Sequence, residues 1–346
     1  MSRRTKSILL GALAACILLG YVLYVLFGKE RAEAKKEYET TIFAMDTVMQ
    51  IKAYGKHGQE GVDAAVAEIN RLENLLSAER DDSDVSKLNR EGSAEVSEEV
   101  RELIGVAQEV YEETGGAFDV TIYPLMKLWG FPQKEYQVPA QEEIDVVLPL
   151  VDASKIKVNE DTVTLGENQQ IDLGGIGKGF ASQRAMEIFR EKGVTSGIVS
   201  LGGNIQVLGT KPDGTDYKIG VRDPQTGEAN IVLSVHDCCV ITSGGYERLF
   251  EAAGKTYIHI LDPKTGYPVD NSLASVTIVA ESGTKADALS TALFVLGYEE
   301  GVSIWKAHAS EFQAIWIEDD GSVTITEGLK DIISYSGGSF TVVGSD

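Results

Sequence analysis

Apolar residues recur along this chain in two periods, and the switches between them mark out its elements. Within residues 59–76 they fall at Val62, Val66, Ile69, Leu72 and Leu76, the three-and-four spacing of one helix face. Ser97 stands as a cap before a second stripe at Val100, Leu103, Ile104, Ala107 and Tyr111, which runs into the stop signal Gly115-Gly116. A third helix opens at the glycine run 174–179, continues through Arg190 and ends at Gly193, and a fourth covers residues 284–296. Strand patterns occupy 42–54, 156–158, 162–165, 274–280, 312–317 and 323–325. Most of 197–260 reads as strands separated by turns such as Lys211-Pro212-Asp213-Gly214 and Asp223-Pro224-Gln225-Thr226-Gly227. Residues 85–89 read as a short turn, and 129–149 as an aromatic, proline-bearing loop followed by a short helix. Helices and strands mix without strict βαβ alternation, which places the chain in the α+β class.

Composition narrows this picture. With 346 residues and 43% hydrophobic content the chain can bury one large domain or two small ones, and disorder is excluded. The 36 glycines have no period, so collagen is out, and three cysteines exclude a disulfide scaffold or a cysteine-rich metal cluster. Cys238 and Cys239 are adjacent in an apolar strand and read as structural thiols. The net charge is −22, and residues 1–37 alone carry +4, so the body is still more acidic. Nucleic acid is therefore not expected as a partner, and an anionic ligand needs a cation or a nest of backbone N–H groups.

Residues 8–27 form 20 positions without a charge behind Arg3, Arg4 and Lys6, long enough to span a bilayer. Residues 1–28 read as a signal anchor or, through Leu13-Ala14-Ala15-Cys16, as a lipoprotein signal lipidated at Cys16. Residues 29–39 form a charged stalk, and 40–346 the body.

Four stretches of the body can carry chemistry. In Asp172-Leu173-Gly174-Gly175-Ile176-Gly177-Lys178-Gly179 four glycines before a helix allow close backbone approach. The helix N-terminus then offers N–H groups to an anion, and Lys178 adds positive charge. No Ser or Thr follows the lysine and the glycine spacing is not that of a dinucleotide fingerprint, so a plain glycine turn accounts for the same residues. Asp287 and Thr291 stand four apart on one helix face, where a carboxylate and a hydroxyl suit a hard cation such as Mg²⁺. Thr284 with Asp287 equally reads as a capping box. His259 precedes the turn Asp262-Pro263-Lys264-Thr265-Gly266, as a general base or as a half-buried strand histidine. Gly115-Gly116-Ala117-Phe118-Asp119 offers a tight turn and a ring able to stack, or a core phenylalanine after a helix cap. Ser282-Gly283-Thr284-Lys285 matches an acyl-serine motif, but its Lys264-Thr265-Gly266 partner lies on the wrong side of the serine.

Six segments in order resemble the ApbE family, the Mg²⁺-dependent FAD:protein FMN transferases, over roughly residues 40–330. They are Ala44-Met45-Asp46-Thr47, Gly116-Ala117-Phe118-Asp119-Val120, the 172–179 run, Ser200-Leu201-Gly202-Gly203-Asn204, the 259–266 run, and Ala286-Asp287-Ala288-Leu289-Ser290-Thr291. The resemblance implies an α+β body of mixed or antiparallel sheets with flanking helices and an FAD cleft between two lobes. It implies FAD contacts at Met45, Ala117, Phe118, Asp119, Asp172, Lys178 and Leu261, and Mg²⁺ ligands at the Gly175 carbonyl, Asp287 and Thr291. His259 falls at the proposed catalytic histidine. Glu79 of Ser77-Ala78-Glu79-Arg80 stands where members often carry an aromatic over the flavin, which implies either weaker FAD binding or stacking from elsewhere, such as Tyr123 or Trp129. The implied reaction transfers FMN from FAD to a threonine of an extracytoplasmic redox-complex protein, with release of AMP. An FAD pyrophosphatase and a non-enzymatic FAD-binding surface protein are the competing readings.

Overall fold

Nine strands in chain order build the central sheet: β1 (Glu37–Ala44), β2 (Thr47–Tyr54), β3 (Gly197–Leu201), β4 (Asn204–Leu208), β5 (Cys239–Gly244), β6 (Leu273–Ala280), β7 (Phe312–Glu318), β8 (Val323–Thr326) and β9 (Thr341–Val343). Every neighbouring pair is antiparallel except the last, where β8 and β9 run parallel. This computed structural model describes residues 31–246 and 248–345, with residues 11, 13, 15–18, 20 and 21 of the N-terminal segment. The anchor or lipidation segment thus lies largely outside the described residues, and among those described no helix is long and apolar enough to cross a membrane.

The sheet is covered on both faces, as period-two side chains show. On β7, Ala314 and Trp316 enter the core shared with the helices, while Ile315 and Ile317 enter a second core. The helical layer comprises α1 (Gly58–Leu76), α2 (Glu98–Glu113), α3 (Gly174–Glu191) and α4 (Gly283–Ala307). The opposite layer is a three-stranded sheet of 217–221, 231–235 and 333–335. A third cluster, around Trp129, Phe131, Ile144 and Leu261, packs under the hairpin 249–258.

Several elements differ from the sequence pattern. The stretch 42–54 is a hairpin of two strands, turned at Met45 and Asp46 with φ of 49° and 60°. A two-residue turn of this hand needs positive φ twice, and Met-Asp lacks the usual Asn-Gly signal. Residues 84–91 form a helix rather than a turn: Ser83 caps it by accepting from Ser86 N at 2.9 Å, and Gly92 closes it. Helix α3 opens at Gly174, as the pattern predicts, so the glycines of 174–179 form its first turns and leave no separate loop before it. Helix α4 runs past residue 296 to Ala307, with a break at Gly297 (φ 78°) that only glycine adopts without strain.

Strand register gathers the site. The turns at 45–46 and 202–203 and the end of β5 at Gly244 all reach the same end of the sheet. Helices α3 and α4 cross there.

Candidate active site

The crossing of α3 and α4 is tight because Gly179 has no side chain. A Cβ at Gly179 would stand 2.2 Å from the Gly283 carbonyl oxygen and 2.5 Å from Asp287 Cβ. The closeness lets Asp287, 4% exposed on α4, accept the Gly179 N–H through Oδ2 at 2.7 Å. In a regular helix that N–H would serve the Gly175 carbonyl. Burial raises the Asp287 pKa, and the Lys178 charge and the Gly179 N–H oppose the rise. The buried Asn204 amide also favours the carboxylate, although its Nδ2 falls short of hydrogen-bond geometry.

One turn along α4, Thr291 Oγ1 lies 3.1 Å from Ser243 Oγ, and Ser290 Oγ lies 2.8 Å from the same oxygen. A Cβ at Gly175 would meet Phe118 Cε2 at 3.0 Å and Thr291 Oγ1 at 4.0 Å, so Gly175 is held between the two. Gly175, Asp287 and Thr291 come together here and bring a backbone carbonyl, a carboxylate and a hydroxyl, oxygen donors only. A desolvated carboxylate among such donors fits a hard divalent cation.

A second group of charges surrounds His259, which follows the hairpin 249–258. Its backbone N–H donates to the Arg248 carbonyl at 3.0 Å, and its Nδ1 lies 3.2 Å from the same oxygen. A carbonyl only accepts, so this contact places the proton on Nδ1 and leaves Nε2 as an acceptor. Burial, then the Arg248 and Lys178 charges, push the imidazole down to about 4, so it is neutral at pH 7.

Asp46 at the hairpin tip pairs with Arg248 Nη2 at 3.0 Å and Lys134 Nζ at 3.4 Å, and Met45 N donates to Glu73 Oε1 at 2.8 Å. Asp172 accepts Gly174 N at 2.8 Å, and burial raises its pKa against that bond and the Lys178 and Arg248 charges. Glu79 belongs to the same group: burial, then Asp172 and Asp46, raise its carboxyl, while Lys134 and Arg248 lower it. Burial together with Asp172 and Glu79 pushes the Tyr123 phenol up to about 12. Lys178 Nζ donates to the Gly174 carbonyl at 3.3 Å.

The remaining expected contacts face inward. Ala117 and Phe118 are buried. Asp119 is committed to the fold: Oδ1 accepts Thr121 N at 2.7 Å and Thr121 Oγ1 at 2.6 Å, and Oδ2 accepts Ala153 N at 3.0 Å. Leu261 is buried beside Trp129 in the aromatic cluster. Trp129 itself is 0% exposed and donates Nε1 to the Gly266 carbonyl at 2.9 Å, so it cannot stack on a ligand.

Two alternatives from the sequence fall away. Ser282, not Thr284, caps α4, accepting Lys285 N at 3.3 Å, and Asp287 is spent on Gly179 instead of a capping box. Lys285 is locked by Glu109, Glu113 and Glu311 at 2.8–2.9 Å, which raise its pKa, so it cannot serve as the base of an acyl-serine pair. The sequence reading assigned no role to Arg248, Lys134 or Ser243. Ser243 lies at the end of β5, and Arg248 follows shortly after the paired glycines Gly244-Gly245, which are the local signal in the chain for both.

Comparison with known proteins gives the family of the chain. The model of the ApbE family matches residues 45–316. A FAD:protein FMN transferase of Treponema pallidum (strain Nichols) is 35% identical over 321 residues, covering 86% of this chain and 88% of its own. The crystal structure of the ApbE protein of Thermotoga maritima superposes with a TM-score of 0.82 at 32% identity, over 86% of this chain and 99% of the other. The apo Pseudomonas stutzeri flavinyl transferase ApbE gives 0.78 at 29%, over 88% and 98%. Matched in sequence over most of its length and in fold throughout the body, the chain belongs to the ApbE family.

Proposed function

We propose that this protein is a transferase that moves FMN from FAD onto the hydroxyl of a threonine in an acceptor protein, releasing AMP, with Mg²⁺ held by Gly175, Asp287 and Thr291. The observation that carries this reading is the meeting of Asp287 and Thr291 with the glycine-rich start of α3, in the electrostatic reach of Lys178, whose charge also acts on His259.

FAD brings a pyrophosphate of two negative charges to a protein of net −22. Lys178 and Arg248 supply compensating charge at the site, and the bound metal would neutralise the remainder. The acceptor hydroxyl forms its bond to the FMN-side phosphorus as the bond from that phosphorus to the AMP oxygen breaks. His259 Nε2 receives the hydroxyl proton. An anion lodged between Arg248 and Lys178 offsets the two charges that depress the imidazole, which raises its basicity when substrate is bound. The apolar run 8–27 is long enough to tether the body to a membrane, and in this reading the acceptor is an extracytoplasmic protein of a redox complex.

The test uses the full purified chain with FAD and Mg²⁺, with and without a candidate acceptor carrying a flavinylation threonine. AMP released only with acceptor, with flavin fluorescence fixed to the acceptor in a denaturing gel, is the expected result. Free FMN and AMP without acceptor would make the protein a pyrophosphatase, and bound FAD with no AMP would make it a binding protein.

A further inference from the structure

The transfer reading requires an acceptor hydroxyl to come within about 3–3.5 Å of the phosphorus, so the acceptor must settle on the surface around His259 and Arg248. That surface carries an unusual share of the molecule's exposed apolar side chains. Among the described residues from 31 onward, eight large apolar side chains are exposed. Four of them, Phe43, Val48, Tyr136 and Leu249, lie within three positions of Asp46, Lys134 or Arg248, the three charges that pair at the mouth of the site.

The β1–β2 hairpin shows that this exposure is local. Its solvent face carries Glu39 opposite Lys52 and Thr41 opposite Gln50, a polar ladder reinforced by Lys52–Glu37 and Lys52–Glu39 ion pairs at 3.1 Å. The ladder turns apolar at its last solvent-face pair before the turn, Phe43 opposite Val48, 69% and 58% exposed. β1 is also one of the two edge strands of the sheet. An edge strand is ordinarily kept polar to discourage pairing with other chains, so a bare Phe43 at its turn end, with Val48 beside it on β2, calls for a partner. The charges between them and Leu249 lead straight to the catalytic histidine: Asp46 holds Arg248, and the Arg248 carbonyl holds His259.

We propose that this rim docks an extended segment of the acceptor polypeptide, with apolar side chains on either side of the modified threonine seated on Phe43, Val48 and Leu249. The inference rests on the transferase reading and adds the chemical class of its protein substrate.

The test compares two short synthetic peptides, each with one central threonine, flanked in one by leucine and valine and in the other by serine. The full-length wild-type chain is expected to flavinylate the apolar peptide with the lower KM. The double variant Phe43→Ser/Val48→Ser should raise that KM about tenfold or more, to the level of the serine peptide, with kcat and FAD affinity unchanged. Val146→Ser, at a site 75% exposed and outside the rim, should leave the KM alone. A benzophenone amino acid at position 43 should crosslink to the apolar peptide, and one at position 146 should not. Equal KM values in the wild type and the double variant, or no crosslink from position 43 during active transfer, would overturn the docking surface and leave the transferase standing. No flavinylation by the wild type of either peptide or of any acceptor protein, with FAD bound, would overturn the transferase reading and the docking surface with it.

Discussion

Asp287 Oδ2 and Gly179 N meet at 2.7 Å across the crossing of α3 and α4, 108 residues apart in the chain. The carboxylate therefore ties the glycine-rich start of α3 to the helix that carries Thr291. Asp287→Asn keeps an oxygen for the Gly179 N–H but removes the charge. Burial already disfavours that charge, so the variant should fold with a melting temperature equal to or above that of the wild type without metal. Turnover should fall about 100-fold or more, the scale of losing one preorganised electrostatic contact. Calorimetric titration of Mg²⁺ should show lost binding. Wild-type Mg²⁺ affinity in this variant would move the metal elsewhere.

The same crossing makes Gly179 the most demanding glycine of the site. Gly179→Ala places a methyl group 2.2 Å from the Gly283 carbonyl, which is backbone and cannot swing away. The helices must separate, at a cost of about 1–3 kcal/mol in folding stability. Activity should fall further than stability alone explains, because Asp287 moves with α4. Denaturant unfolding and turnover of the folded variant, measured together, test both statements.

What the sequence revealed follows the range of the forces involved. Helix stripes and strand alternation are local, so α1, α2, β6 and β7 were legible from spacing. The hairpin turn at Met45-Asp46 was not, since neither residue is a usual choice for positive φ and tertiary contacts, including Met45 N to Glu73, hold it. The helix 84–91 was missed because eight residues give barely two turns of pattern. The 172–179 run was visible as special, but glycine there reads as loop until Gly283 and Asp287 are seen pressing on it. Arg248 and Lys134 looked like any surface cations, and only the fold brings both to Asp46. Resemblance pointed to Asp119, Leu261 and His259 as site residues, and the structure shows that the Asp119 carboxylate is committed to internal donors.

His259 gives the protein a pH signature. Its folded pKa, about 4, lies below the ordinary 6.5, so between those values the unfolded chain binds more protons than the folded one. The contribution to stability is complete above 6.5 and is lost as pH falls toward 4. The stability difference between wild type and His259→Gln should therefore grow with pH across that window and level off above it. The acid limb of kcat/KM for the free enzyme should also fall below the usual imidazole range. Arg248→Gln removes the second cause of the depression and should shift that limb to higher pH. A limb that stays put would mean that another group controls it.

Lys285 offers a test of structure against chemistry. Its side chain is 17% exposed, and its ammonium serves Glu109, Glu113 and Glu311 together, joining α2, α4 and the turn before β7. Lys285→Met keeps the aliphatic stem and leaves three carboxylates facing one another, with Glu113 Oε2 already buried and unpartnered. The expected loss is about 1–3 kcal/mol, between the values for exposed and fully buried ion pairs. Part of it should be recovered as pH falls and the carboxylates protonate. Turnover per folded molecule should be unchanged, because the cluster touches neither Asp287 nor His259. A variant of normal stability and no activity would instead return Ser282 and Lys285 to the catalytic centre, against the three glutamates that hold the lysine charged.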